Sequence, residues 1–276
     1  MPADPAAPLP NPFAPDAWPT PLAGAAQALW DWHLNLYHPD IDAAPASGFE
    51  AWIREEQQRA ARGEAVSIVP RAVAEAAQAA CREHALPTEW LGEQVGASVR
   101  WLGPIRFDTT AELNAFVQRW AGSHARLLAH LGGATGAWQQ KPVDEMARAF
   151  FLTGRLVRLP DDLAEDRLFI ALEDLQQTGA RQLELKAGRV SEPVRKVLWK
   201  QAVRIRDAYG QGQELAKDLG GWQRRAFNRW WLGGLEVIGE VERRGYDVWS
   251  RPVQLSSVRR FRVRLQALVG KHTAGR

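Results

Sequence analysis

Apolar residues recur along most of this chain at steps of three and four, the period of an amphipathic helix. The clearest run lies within 110–131, where Leu113, Phe116, Val117, Trp120, His124, Leu127, Leu128 and Leu131 form one continuous stripe. Thr110 is placed to cap its start, and Gly132-Gly133 to end it. A second run opens the stretch 143–175, in which Val143, Met146, Ala147, Phe150, Gly154 and Val157 share a face. Phe151, Arg155, Arg158 and Asp162 make a ridge beside it; Pro160 then interrupts, acids follow, and a new apolar segment begins at Leu163. A greasy helix thus ends at a cluster holding both signs of charge.

The same period predicts further helices. The first, 22–37, carries Leu29, Trp30, Trp32, Leu34 and Leu36 and stops before Pro39. The next spans 48–62, with Phe49, Trp52 and Ile53 on one side and Gly63 as its C-cap. An Ala-rich helix over 70–84 follows, then a turn and N-cap at Leu86-Pro87-Thr88 leading into a short helix from 89 to about 101. Later come 192–209, with Val194, Val197, Leu198, Ala202 and Ile205 facing in, and 222–244, ended by Gly245. The last, 256–269, sets Val258, Phe261, Leu265 and Leu268 on one face and Arg259, Arg260, Arg262 and Arg264 over most of the rest. That apolar face is expected to pack inward. No segment of useful length has the period of a strand and no repeat is visible. The expectation is an all-α domain of about nine to eleven helices around a central space.

Composition narrows this picture. With 276 residues and 46% hydrophobic positions, the chain suits a single helical domain over 22–270. A proline-dense arm over 1–21 precedes it, lacking the basic and apolar regions of a secretory signal. The 13 tryptophans call for a large core or a lipid-facing surface. A net charge of +3 and the absence of a recognition motif argue against nucleic acid as partner. Cys81 is the single cysteine, which excludes an intrachain disulfide and fits the cytoplasm. No apolar run approaches the ~20 residues of a membrane span.

The order of short motifs resembles the squalene/phytoene synthase family, the head-to-head branch of the trans-prenyltransferases. Leu152 through Asp162, with Thr153, Gly154, Arg155, Leu156, Val157, Arg158, Leu159, Pro160 and Asp161 between, aligns without a gap to the family's LTNILRDVGED. Arg167-Leu168-Phe169-Ile170 takes the place of RIYLP, and Glu173-Asp174-Leu175 that of DDL. Arg106-Phe107-Asp108-Thr109 with Glu112-Leu113 is similar to RYPTFEDL, and Arg119-Trp120-Ala121-Gly122 to RVAG. Arg243-Arg244-Gly245-Tyr246-Asp247-Val248 and Ser250-Arg251 are similar to RRGYDVFSR. The resemblance implies an isoprenoid-synthase-like helical bundle around an apolar cavity. It also implies binding of allylic diphosphates through Mg²⁺ held by two aspartate-rich motifs. Ionising an allylic diphosphate leaves a multiply charged group, which clustered hard cations on carboxylates stabilise.

This chain departs from the family at those motifs. Arg158 stands for the first aspartate of the second motif and Gly154 for its asparagine, leaving Asp162. The first motif falls near Tyr37, His38 and Asp40, where no slide restores DDxxD, and Trp101 falls where many members carry another aspartate. A cation at Arg158 repels Mg²⁺ at close range. Arg155 and Arg158, with Asp161 and Asp162, are the candidates for holding a diphosphate directly, since guanidinium pairs bidentately with phosphate. The commoner arrangement is an ion pair between Arg158 and Asp162 or Asp161 at a helix end. Asp162 and Asp166 make a displaced DxxxD and thus a weak metal candidate. The plainer reading is acids in a first helical turn after Pro160. His38, Asp40 and Asp42 read as a solvated loop, His124 as a core histidine, Cys81 as packing, and the Trp30/Trp32 and Trp230/Trp231 pairs as core.

Two functions follow from the resemblance. One is a non-catalytic member acting in isoprenoid or lipid binding or as an assembly factor, with no cofactor. The other is an active, Mg²⁺-dependent prenyltransferase of isoprenoid, carotenoid or hopanoid biosynthesis with atypical diphosphate-binding residues. Expected partners are a prenyl diphosphate or other isoprenoid lipid, a protein, and an anionic membrane surface met by the basic helix at 256–269. The lost aspartates favour the non-catalytic reading.

Overall fold

The structure is a computed structural model that describes residues 18–42, 44, 45 and 48–269. The expected arm lies outside them up to residue 17. Among the described residues there are thirteen α-helices and no strand, only an isolated bridge between Ile105 and Arg167. The helices are α1 (Thr20–Asn35), α2 (Phe49–Ala61), α3 (Arg71–Glu83), α4 (Glu89–Ser98), α5 (Thr110–Val117), α6 (Ser123–Leu131), α7 (Ala137–Val157), α8 (Leu159–Ala164), α9 (Leu172–Thr178), α10 (Gln182–Lys186), α11 (Glu192–Gly212), α12 (Gly221–Arg243) and α13 (Ser257–Val269). The excess over the expected number has two sources. Helices α8, α9 and α10 are too short to show a period of their own. The run over 110–131 is interrupted by a π-helical segment at Gln118–Gly122, which separates α5 from α6 while keeping the whole predicted stripe buried. Its start is also corrected: Thr109, not Thr110, caps it, accepting from the Glu112 amide at 3.2 Å. Thr88 precedes α4 as expected, but its hydroxyl donates to the Ala61 carbonyl at 2.6 Å rather than capping the helix.

The chain divides into two compact units. The N-terminal unit runs to Pro104 and includes Ala115–Ala147. In it α2 packs on α4, and α1 on α3 and α6. The α2–α4 approach is close enough that a Cβ on Gly92 would lie 2.6 Å from the Gln57 carbonyl oxygen, so only glycine fits there. Trp32, Leu36, Leu91, Trp120 and Leu127 are all fully buried in this unit, each contributing about 1.5–3 kcal/mol by leaving water.

The C-terminal unit comprises Ile105–Asn114 and the chain from Arg148 onward. Two of the motif stretches meet here. The amide of Leu168 donates to the Ile105 carbonyl at 2.9 Å and that of Leu172 to the Phe107 carbonyl at 2.9 Å. Residues 149–157 of α7 are buried on every side, more than the single predicted stripe. The five inward residues predicted for α11 are buried, and α12 packs on both α11 and α13. One expectation is reversed. Val263 and Ala267 seat α13 on the unit, whereas Val258, Phe261, Leu265 and Leu268 face outward.

Candidate functional site

The charged cluster at the end of α7 is built by a break in the helix. Helix α7 ends at Val157, Arg158 adopts φ −100° and ψ 14°, and α8 restarts with Pro160 at its second position. The turn brings Asp162 back beneath α7, where Nη1 of Arg155 donates to its Oδ1 at 2.9 Å. Both side chains are interior, at 6% and 5% exposure. The Arg155 guanidinium lies 5.5 Å from the centre of the Phe151 ring and 5.4 Å from that of Phe169, so apolar and π surface surround the pair. Oδ2 of Asp162 is buried with no hydrogen-bond partner among the described residues. Burial pushes the Asp162 carboxyl up to about 6, while Arg155 and then Arg158 and Arg167 pull it down. Beside the pair, Leu152, Leu156, Phe169, Gln201 and Ile205 line a space of about 10 Å³, room for about one water.

The other candidates of this stretch lie outside that pair. Nε of Arg158 approaches Oδ2 of the exposed Asp161 at 3.5 Å. The ion pair expected at the helix end is therefore Arg158–Asp161, and the cation on Asp162 is Arg155. Asp166, with φ +57°, is held at the surface by Arg106 at 2.5 Å and Lys186 at 2.9 Å. Asp162 and Asp166 are thus each engaged by different cations. Asp174, of the DDL-like stretch, is buried and bonded by Lys200 at 2.7 Å, by Gln201 at 2.9 Å, and by Arg204.

In the N-terminal unit, the place of the first motif is filled by rings. Tyr37 lies 4.6 Å from Trp101 and 4.9 Å from Trp120, centre to centre, and its hydroxyl accepts from the Trp120 indole at 3.3 Å. His33 stacks on His124 at 4.2 Å, and its Nδ1 is 2.9 Å from Oε1 of Gln94. Burial holds His33 down at about 4 and His124 well below its ordinary value, so both are neutral at pH 7. His38, Asp40 and Asp42 are exposed, and Oδ1 of Asp40 accepts from the Asp42 amide at 3.1 Å in a local turn. His33 and Gln94 are the residues that sequence reasoning missed. The available signal was the four-residue step from His33 to Tyr37, the same step that sets two carboxylates of a DxxxD on one face.

These residues do not fit Mg²⁺. Of the second motif, the remaining aspartate already faces a guanidinium, and a second cation, Arg158, stands in an aspartate's place. At the first motif Tyr37 packs among rings, and the Asp40 carboxylate accepts from the Asp42 amide in an exposed local turn. The neighbouring His33 and His124 are neutral imidazoles, poor ligands for a hard cation that prefers carboxylates. Among the described residues, no group of three or more His, Cys, Asp or Glu side chains is placed so that it could hold a metal ion. No described helix is long and apolar enough to cross a membrane.

Comparisons with known proteins agree on the scaffold. The family model for squalene/phytoene synthase matches residues 24–262. A phytoene synthase of Thermus thermophilus is 31% identical over 111 residues, which span 40% of this chain and 38% of that protein. A dehydrosqualene synthase solved in complex with ligand superposes with a TM-score of 0.79 at 16% identity, covering 95% of this chain and 92% of that one. Squalene synthase HpnC from Alicyclobacillus acidocaldarius gives 0.65 at 20% identity, over 85% of this chain and 99% of that one. YisP from Bacillus subtilis subsp. subtilis strain 168 gives 0.66 at 15%, over 93% and 90%. At these identities the structural likeness concerns the all-α isoprenoid synthase fold.

Proposed function

Because this chain belongs to the squalene/phytoene synthase family, we propose that it is a non-catalytic member, which binds an isoprenoid lipid or prenyl diphosphate, or serves as an assembly factor, without condensing allylic diphosphates. The observation that carries this reading is the Arg155–Asp162 pair at 2.9 Å. In a family whose chemistry uses Mg²⁺ on paired aspartates, Asp162 is already neutralised internally and Arg158 adds a second positive charge. The ring cluster of Tyr37, Trp101 and Trp120 supports the same reading at the first motif. A diphosphate would meet guanidinium rather than metal, with Arg158 the more accessible of the two arginines. A cytoplasmic protein peripheral to a membrane belongs to this reading, since an isoprenoid ligand partitions into lipid.

Calorimetric titration with farnesyl diphosphate, in EDTA and again in excess Mg²⁺, tests it. The expected result is binding of similar affinity in both. Binding that requires Mg²⁺ would overturn the non-catalytic reading, and no binding in either would remove the prenyl diphosphate as ligand.

A further inference from the structure

We propose that the outward face of α13 is a docking surface for anionic phospholipid bilayers. This deepens the peripheral-membrane part of the reading above and rests on it for context, but its support is the helix itself. Helix α13 is seated through Val263 and Ala267, at 3% and 4% exposure. At 3.6 residues per turn, the opposite side of the helix carries Val258, Phe261, Leu265 and Leu268. They are 77%, 61%, 45% and 62% exposed, a stripe of large apolar side chains held in water. Arg264 borders the stripe on one side, with Arg260 one turn before it, and Arg262 borders it on the other. Arg259 and Arg262 are partly neutralised by Glu240 at 2.7 Å and Glu236 at 2.6 Å. Arg260 and Arg264 are exposed and pair with no carboxylate among the described residues.

Charge selects the occupant. From Arg251 to Arg276 the sequence holds six arginines, one lysine and no Asp or Glu. A second copy would set Arg260 and Arg264 against an equally basic face. An anionic bilayer offers both what the stripe lacks, an apolar phase at the depth of the acyl boundary, and what the arginines lack, a sheet of phosphates. The geometry is that of a helix lying in the plane of the interface, with basic edges at headgroup level.

The test is co-sedimentation of the full chain with phosphatidylcholine vesicles, with and without phosphatidylglycerol, and with no prenyl ligand present. Prenyl diphosphate binding is measured separately without vesicles, so that failure of docking and failure of the ligand reading are told apart. Binding is expected to the anionic vesicles at about 0.1 M salt and to be largely lost at about 1 M. Arg260→Gln with Arg264→Gln is expected to weaken it about thirtyfold. Phe261→Ser with Leu265→Ser should abolish it, with an unchanged melting temperature because both side chains are exposed. Three results would overturn the proposal: no anionic-vesicle binding at low salt, binding indifferent to Phe261→Ser with Leu265→Ser, or a dimer in light scattering that the same pair of substitutions dissociates.

Discussion

Asp162 gains a guanidinium and loses its water at the same time. Breaking such a pair from one side leaves a buried charge uncompensated, so Arg155→Leu is expected to destabilise the protein by about 3–5 kcal/mol. Arg155→Leu combined with Asp162→Leu should recover most of that loss, and urea unfolding of the two variants checks it. The same pair sets what a restored metal site requires. Arg158→Asp alone leaves Asp162 bound to Arg155, so Mn²⁺ binding followed by electron spin resonance should appear only when Arg155→Ile is added. His33 gives a pH signature. Its folded value of about 4 lies below the ordinary 6.5 because burial disfavours the imidazolium. The folded form therefore binds fewer protons between those values. Its contribution is intact above pH 6.5 and is lost, by about 3 kcal/mol, as the pH falls to about 4. Asp162, raised from 3.8 to about 6, works the other way, adding stability as the pH falls through that window. Wild type and His33→Gln, compared in urea at neutral and acid pH, separate the two: the stability advantage of wild type should shrink by about 3 kcal/mol on acidification. Parallel pH profiles would count against a buried neutral His33. The sequence shows Arg158 and Asp162 as an aligned motif. It does not show Arg155 as the partner, because seven residues is two helical turns and the contact exists only through the break at Arg158.

Helices α11 and α12 meet at a glycine. A Cβ on Gly234 would lie 1.9 Å from Oη of Tyr209, a fully buried side chain whose hydroxyl is 3.1 Å from that of Thr153. Tyr209 or the helix must shift to admit the extra carbon, so Gly234→Ala is expected to cost about 1–3 kcal/mol, read as a lowered midpoint in urea. Unchanged stability would mean that the two helices separate easily. Helix α13 shows the limit of periodicity as evidence. Its strongest apolar stripe was readable, but the helix seats on the smaller Val263 and Ala267, and the larger residues of the stripe stay outside. A pattern identifies an apolar face; which of two faces a neighbour covers depends on shape, and small residues at a four-residue step admit close packing. The π-helical segment at Gln118–Gly122 was equally invisible, since a one-residue slip between two good helices leaves each local pattern intact.

At the scale of the molecule, the all-α class followed from the 3.6-residue period and from the order of weak motifs, and the family and fold comparisons agree with both. What the motifs could not convey is the state of the site they once described. Loss of aspartates is legible as letters. The packing of the first-motif Tyr37 against Trp101 and Trp120, and the closing of the second motif's Asp162 on Arg155, come only from how the side chains meet in the fold. The central claim is that this scaffold no longer supports metal-dependent ionisation of an allylic diphosphate. It is tested most directly by incubating the pure protein with farnesyl and geranylgeranyl diphosphates in Mg²⁺ and measuring released pyrophosphate together with the thirty- and forty-carbon products. The account predicts neither above the protein-free background; Mg²⁺-dependent turnover within about tenfold of a family member with intact motifs would contradict it.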